Sequence, residues 1–496
     1  MAGVRSSLVL SFAEKYSILA INVISTVILA RLLTPTETGL YSVAAGIINI
    51  AQTLRDFGIG NYIIQETDLS RRRLSTALGV SMMLGFSLAA FFIATAAPIA
   101  EAFNEPRLQT VILVMSLNFI LVAFASIGTA RLHRDMNFDA SLRIGIASAI
   151  VHAGTSVLMA SLGYGAIGMA WASVMGVAVY LVGNYIYYFE DILLLPRFSE
   201  WRRVMGFGVL ASGGYILQEI GQRASDVLVG RFLGFHAAGL FSRSNGLITL
   251  FQQGLMNAIA PVALSALASL KRREEDLRGP FLRILGYTTL VAWPLLGMMA
   301  LLALPIIQVA FGSQWVTAAD TARVLCLAAA LAVLSRCAIT LFTATGAARR
   351  LFTVQALGVP VLIAAIALGS TLTIEAAACG TVAGSTVLSL YSLQQVNRLI
   401  GTTWRQIVEA LWTSILVTAL SLAIPLGVIL YDGLKPEHFW PQTLVAGSSG
   451  VLAWIVCIFA LRHPLSDEVL LVARHLVGAA KWAVGRRPTK ADALKT

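Results

Sequence analysis

Arg31–Ile48 reads RLLTPTETGLYSVAAGII, and Arg231–Ile248 reads RFLGFHAAGLFSRSNGLI. The two stretches align without a gap at an offset of 200 residues, with seven identities in eighteen positions. Arg31, Leu33, Gly39, Leu40, Ser42, Gly46 and Ile48 find the same residue types at 231, 233, 239, 240, 242, 246 and 248. This is well above what a Leu/Ala/Gly-rich chain gives at one arbitrary offset. In a membrane protein, a repeat of this size means two homologous bundles facing each other with a path between them.

The surrounding composition fits a membrane. Hydrophobic residues make up 57% of the 496 positions and charged residues only 12%, which no soluble domain of this length shows. Apolar runs of about 20 residues recur fourteen times, from 10–33 to 441–461, each able to cross a ~30 Å hydrocarbon core. Gly39 and Gly239 open the second and eighth. Backbone groups in lipid must be satisfied within the segment, so the spans are helices. No segment has the ten-residue alternation of an outer-membrane barrel. The expectation is an all-α polytopic membrane protein of about fourteen transmembrane helices. Residues 1–190 form a six-helix lobe, 191–203 a cytoplasmic connector and 204–400 a second, parallel six-helix lobe. Residues 401–462 add helices 13 and 14, and 463–496 form a basic tail. Within the tail, Val469, Leu470, Ala473, Leu476 and Val477 make the apolar stripe of a helix lying on the inner surface.

The net charge of +11 first suggests nucleic acid, but its distribution says otherwise. Arg71–Arg73, Arg131 and Arg134, Arg202 and Arg203, Lys271–Arg273, Arg349 and Arg350, and Arg398 and Arg405 fall in every second loop. The opposite loops carry almost no cations. This positive-inside pattern places both termini in the cytoplasm and makes the basic charge mainly a topology signal, with no nucleic-acid partner implied. Glu14 and Lys15 interrupt the first apolar run, so no cleavable signal is expected there. Cys326, Cys337, Cys379 and Cys457 lie within spans and form no CxxC pair, so they read as small buried hydrophobes rather than metal ligands or a disulfide framework.

Ionisable residues within spans are costly and therefore functional candidates. The seventh span holds Glu219, Arg223 and Asp226 at i, i+4 and i+7, one helix face, with Gln218 and Gln222 beside them. Two readings stay open for this face: a structural salt bridge and a stripe lining a substrate path. Arg55 and Asp56 close the second span, ~24 Å from its outer end, while Arg223 lies ~12 Å below Arg231 and close to the midplane. Arg243 sits in the outer third, Arg336 deep in the tenth span, and Lys15 near the inner end of the first. Snorkelling accounts for Lys15, Arg323, Arg31 and Arg231 but poorly for Arg223 and Arg336. Guanidinium groups at successive depths suit an anion, because the planar fork pairs bidentately with phosphate oxygens at any relevant pH. A phosphate or pyrophosphate joined to a lipid is the natural cargo of such a cavity in a bilayer.

Ile28–Glu66, with its ARLLTP…GLY turn and LRDFG ending, resembles the opening of the Wzx-like polysaccharide flippases, within the multidrug/oligosaccharidyl-lipid/polysaccharide exporter superfamily. VGRFLG…AGLFSRSNGL and Asn257-x-x-x-Pro261 are similar to the corresponding second-half features. The resemblance implies two lobes alternating between inward-open and outward-open states, in the bacterial inner membrane. It implies an undecaprenyl-pyrophosphate-linked oligosaccharide as cargo, no cofactor, and a polysaccharide polymerase and chain-length regulator as partners. A cationic central cavity in this superfamily puts Arg55, Arg223, Arg243, Gln222 and Arg336 forward as headgroup contacts. Glu219, Asp226, Asp56 and Lys15 are then candidates for coupling or gating. Two alternatives are a cation-coupled multidrug exporter of the same superfamily and a membrane polysaccharide polymerase or ligase. The first would depend on Glu219 and Asp226. The second would need a large external loop with arginine or histidine, whereas the longest external loops here have no histidine and one arginine.

Overall fold

The computed structural model describes residues 2–55, 63, 70–189, 196–198, 209–432 and 439–460. The first six helices are α1 (Ala2–Leu32), α2 (Pro35–Arg55), α3 (Arg71–Ala102), α4 (Pro106–Arg134), α5 (Phe138–Ser161) and α6 (Gly165–Tyr187). Val209–Arg272 is helical throughout apart from Gly234, at φ 85° and ψ 173°. We number its arms α7 (209–233) and α8 (235–272). After α9 (Arg278–Leu301) come a short helix, Ala303–Phe311, and a single 3-10 turn, Ser313–Trp315. Then follow α10 (Ala318–Thr345), α11 (Ala348–Ser370), α12 (Ile374–Ile400), α13 (Trp404–Asp432) and α14 (Phe439–Ala460).

Among the described residues, eleven helices are long and apolar enough to cross a membrane, or up to twelve if a bent pair within 213–272 is one span, against the fourteen expected. The chain is thus a multi-pass all-helical membrane protein. Arm α2 does not qualify, since it carries Thr36, Glu37, Thr38, Ser42, Asn49, Gln52 and Thr53 in 21 residues. It is buried by protein rather than lipid along most of its length. The bend in the 213–272 pair, 42°, falls at 257–258. Pro261 has no N–H to give the carbonyl of Asn257, so the helical ladder is broken where the bend occurs.

Packing divides the chain into two units: Met1–Phe281 with Ala303–Thr402, and Leu282–Leu302 with Thr403–Thr496. In the first, α1–α6 pack on one another through small residues and hydroxyls, the usual means of close helix approach in lipid. Ser81 donates to the Ala123 carbonyl (3.2 Å), Asn118 to Ser173 Oγ (2.9 Å) and Ser148 to the Gly176 carbonyl (2.8 Å), while Phe92 stacks on Phe119. Of the connector, Pro196–Phe198 is described, and the Arg197 N–H bonds to the Ser75 carbonyl. In the second unit, α9 packs with α13 and α14. Thr289 and Ser414 hydroxyls meet at 2.8 Å, Trp454 Nε1 donates to the Leu290 carbonyl at 3.1 Å, and Leu290, Val417 and Ile458 form the apolar seam. The sequence reading had grouped α9 with the second lobe. Cys326 and Cys337 are buried and Cys457 is half-buried, whereas Cys379 is exposed on α12 and does not fit the buried reading.

The repeat copies are the two interhelix turns, and they lie against each other. A Cβ on Gly39 would collide with the Phe235 carbonyl, and one on Gly239 with the Pro35 carbonyl. The chain reverses at Gly234. A Cβ on Gly230 would lie 3.6 Å from that of Ala238, where a straight helix would separate them by about 12 Å. From this crossing α2 runs antiparallel to α7, with Gly46 facing Val227, the Arg223 carbonyl and Asp226.

Candidate functional site

The helix pair α7/α8, with α10, α11 and α12, encloses a cavity of about 210 Å³. Two guanidinium groups line it, Arg223 from α7 and Arg336 from α10. Around them stand Gln218, Gln222, Asn245, Gln252 and Gln355, together with Ser225, Ser335, Ser385, Thr249 and Thr381. No carboxylate is among the described lining residues. Arg223 Nε donates to Glu219 Oε1 at 2.8 Å, one turn along the same helix. Both side chains are partly exposed, 42% and 24%, so the pair contributes about 0.3–0.5 kcal/mol and is readily exchanged for another anion. The two readings of this face therefore hold together: the bridge forms, and its arginine lines the cavity. Arg336 has no ion pair among the described residues.

The other sequence candidates lie elsewhere. Asp226 is buried with Oδ1 lacking a hydrogen-bond partner among the described residues, on the side of α7 that meets Gly46 of α2. Arg243 is buried, with its guanidinium 5.3 Å from the Phe311 ring centre and 4.9 Å from that of Trp315. Those rings belong to the segment that docks on the end of α1. Trp315 Nε1 donates to the Ala30 carbonyl at 2.7 Å, and Arg31 to the Val309 carbonyl at 3.0 Å. Arg55 is buried at the C-terminus of α2, where a cation complements the helix dipole, and is not a lining residue. Lys15 is exposed on α1. Asp56 and the tail helix lie outside the described residues. So the structure brings Arg223, Gln222 and Arg336 together on the cavity wall, and Arg55, Arg243 and Asp226 are not among its lining residues. Asn245, Gln252 and Gln355 escaped the sequence reading because a search for intramembrane charge passes over neutral amides. The signal available was a lone glutamine in an apolar run, as at Gln355 between Leu351 and Ile366.

A second concavity, about 450 Å³, is apolar and walled by Ile47, Ile50, Phe91, Phe92, Leu228 and Ile363. It lies between α2, α3, α7 and α11. Helix α7 thus has the polar cavity on one side and this cleft on another. Outside the spans, Glu37 ties three helix starts together. It accepts from the Ala166 N–H at 2.8 Å and pairs with Arg107, which also pairs with Glu105 at 2.9 Å. The hydrogen bond from Arg107 holds the Glu105 carboxyl below its ordinary range.

Known proteins bear the same architecture. The lipid II flippase MurJ, in its inward closed conformation, superposes with a TM-score of 0.74 at 13% identity, covering 93% of this chain and 100% of that one, a likeness of fold. In sequence, the chain is 25% identical over 472 residues to the lipopolysaccharide biosynthesis protein WzxC of Escherichia coli K12, covering 91% of this chain and 92% of WzxC. It is 24% identical over 491 residues to the succinoglycan biosynthesis transport protein ExoT of Rhizobium meliloti, covering 94% of each. Residues 28–320, more than half of the sequence and including both copies of the repeat, match the family described as polysaccharide biosynthesis protein, and the chain belongs to that family.

Proposed function

We propose that the chain is a flippase, a transporter and not an enzyme. It moves an undecaprenyl-pyrophosphate-linked oligosaccharide repeat unit from the cytoplasmic to the periplasmic leaflet by alternating access, for O-antigen, exopolysaccharide or capsule synthesis. The observation that carries this reading is the cavity beside α7, which offers two guanidinium groups and a ring of amides and hydroxyls with no carboxylate among its described lining. A sugar-pyrophosphate cannot cross hydrocarbon unaided, because burying an unpaired charge costs far more than binding returns. Arg223 and Arg336 replace its water with charge-assisted hydrogen bonds, and Arg223 exchanges its weak Glu219 partner for the pyrophosphate. The polyprenyl tail stays on the apolar side, for which the cleft between α2, α3, α7 and α11 is suited. The arginine-rich loops put both termini in the cytoplasm. The Gly39/Gly239 crossing is then the periplasmic closure, and its parting releases the headgroup. Consumers of the product would be a polysaccharide polymerase with its chain-length regulator. A cavity with this charge is poorly matched to a cationic drug.

The test is reconstitution of the full chain in vesicles with a polyprenyl-pyrophosphate bearing a labelled sugar in one leaflet. The expected result is that the label becomes accessible to a membrane-impermeant reagent on the other side. A label that stays sequestered while the protein is folded sinks the proposal.

A further inference from the structure

Gln355 of α11 is 1% exposed and lines the cavity, yet neither its Oε1 nor its Nε2 has a hydrogen-bond partner among the described residues. Gln218, from α7, lines the same cavity, and its Oε1 is likewise without a partner among the described residues. Both ends of Gln355 are affected, so the orientation assigned to the amide does not matter. A buried polar atom left unpaired costs about 1–3 kcal/mol, so a group that enters the cavity and pairs with these three atoms is favoured.

Their chemistry says what it is. The two orphaned carbonyl oxygens need donors. A pyrophosphate at neutral pH offers acceptors and can satisfy only the guanidinium groups and Gln355 Nε2. Each sugar hydroxyl donates one proton and accepts as well, so two neighbouring hydroxyls of a ring complete both ends of Gln355 and the Gln218 oxygen. Val359 and Leu362, beside Gln355 and Gln218, give the ring an apolar face to rest on. The volume, about 210 Å³, is below the ~300–1,000 Å³ of sites for drug-sized ligands, so a whole repeat unit does not fit within it. We infer that Gln355 and Gln218 form a saccharide subsite in the second lobe, holding the sugar bonded directly to the pyrophosphate while Arg223 and Arg336 hold the pyrophosphate. The rest of the oligosaccharide projects outside. This rests on the flippase reading and deepens it: selectivity lies in the first sugar, read by neutral amides rather than by charge.

The test measures binding to the full chain in lipid nanodiscs. The probes are a polyprenyl-pyrophosphate without sugar and the same lipid carrying a single glucose, galactose or N-acetylglucosamine. Wild-type protein should bind at least one sugar-bearing lipid about tenfold more tightly than the bare lipid. Gln355→Leu should remove that difference while leaving the bare lipid within twofold, and Gln218→Leu should act in the same direction. Arg223→Ala should weaken both lipids. If Gln355→Leu melts well below wild type, Gln355→Met and Gln218→Leu carry the same readout. The subsite is overturned if wild type binds all three sugar-bearing lipids no better than the bare lipid. It is also overturned if the glutamine variants leave discrimination intact, which would assign the orphaned amides to ordered water. Either result leaves flipping in vesicles untouched, whereas discrimination without flipping would sink the functional reading and keep the subsite.

Discussion

The two copies of the repeat share their turn and differ in what their helices meet. In the first copy, Val43 is fully buried against Gly230, and Gly46 is packed on Val227 and the Arg223 backbone, so α2 is zipped along α7. In the second, Arg243 stands where Val43 does and lies over Phe311 and Trp315, while a Cβ on Gly246 would meet nothing within 4 Å. Helix α8 turns Asn245, Thr249 and Gln252 to the cavity instead. Helix α1 meets the 303–315 segment through Gln314 and Trp315 on the Ala30 carbonyl and through Arg31 on the Val309 carbonyl. The seam at the first copy is thus closed by close backbone packing. The related face of the other copy has been turned into a polar wall. The residues the copies share make the crossing, and residues in which they differ line the cavity.

The strongest way to break this comparison is at the matched glycines. Gly39→Val or Gly239→Val places side-chain atoms inside a facing carbonyl, and overpacking of this kind costs ~3 kcal/mol or more. Vesicle transport should fall by about two orders of magnitude, while Gly246→Val stays near wild type. Equal tolerance at all three would mean that the crossing is not a closed gate.

Next in size is the cavity charge. Loss of a charge-assisted hydrogen bond is worth about 1.5–3 kcal/mol, so Arg223→Ala and Arg336→Ala should each weaken pyrophosphate-lipid binding about ten- to hundredfold, measured by titration in nanodiscs. An unchanged affinity in both would move the headgroup site elsewhere.

Arg243→Met should lower stability by about 1–2 kcal/mol through loss of its two ring contacts, read as a lower denaturation midpoint, and leave headgroup affinity within twofold. A drop in affinity with unchanged stability would instead return Arg243 to the transport path.

Glu219→Gln should have a smaller effect, ~0.5 kcal/mol or less in stability, with pyrophosphate-lipid binding slightly strengthened. Abolished transport in Glu219→Gln or Asp226→Asn would favour the cation-coupled exporter. The smallest effect concerns the loop network. The Glu105 carboxyl titrates below its ordinary value of 4.5, so the stability it adds is present above that pH and is lost as pH falls through the depressed value. Glu105→Gln should flatten that acid-side fall in melting temperature slightly.

Much of this was open to reading from particular residues. The pairing of Gly39 with Gly239 follows from the repeat, and Arg223 follows from the cost of an ion in lipid. Arg243 looked equivalent because its sequence neighbours are apolar. The rings that hold it come from 311 and 315, some 70 residues later. Asp226 shares a nominal face with Arg223, yet that face is divided between α2 on one side and the cavity on the other. Gln355 carries no charge and so raised no flag.

The sequence by itself determined that the chain crosses a membrane as helices, that an eighteen-residue stretch recurs 200 residues on, and that Arg223 and Arg336 fall inside apolar runs. These follow from hydropathy, periodicity and composition, which are local along the chain. Only the tertiary structure decided which of those cations share a cavity, which atoms in it are left without partners, and that α9 packs with α13 and α14. Each depends on which helix lies opposite, and that is set by packing between segments far apart in sequence.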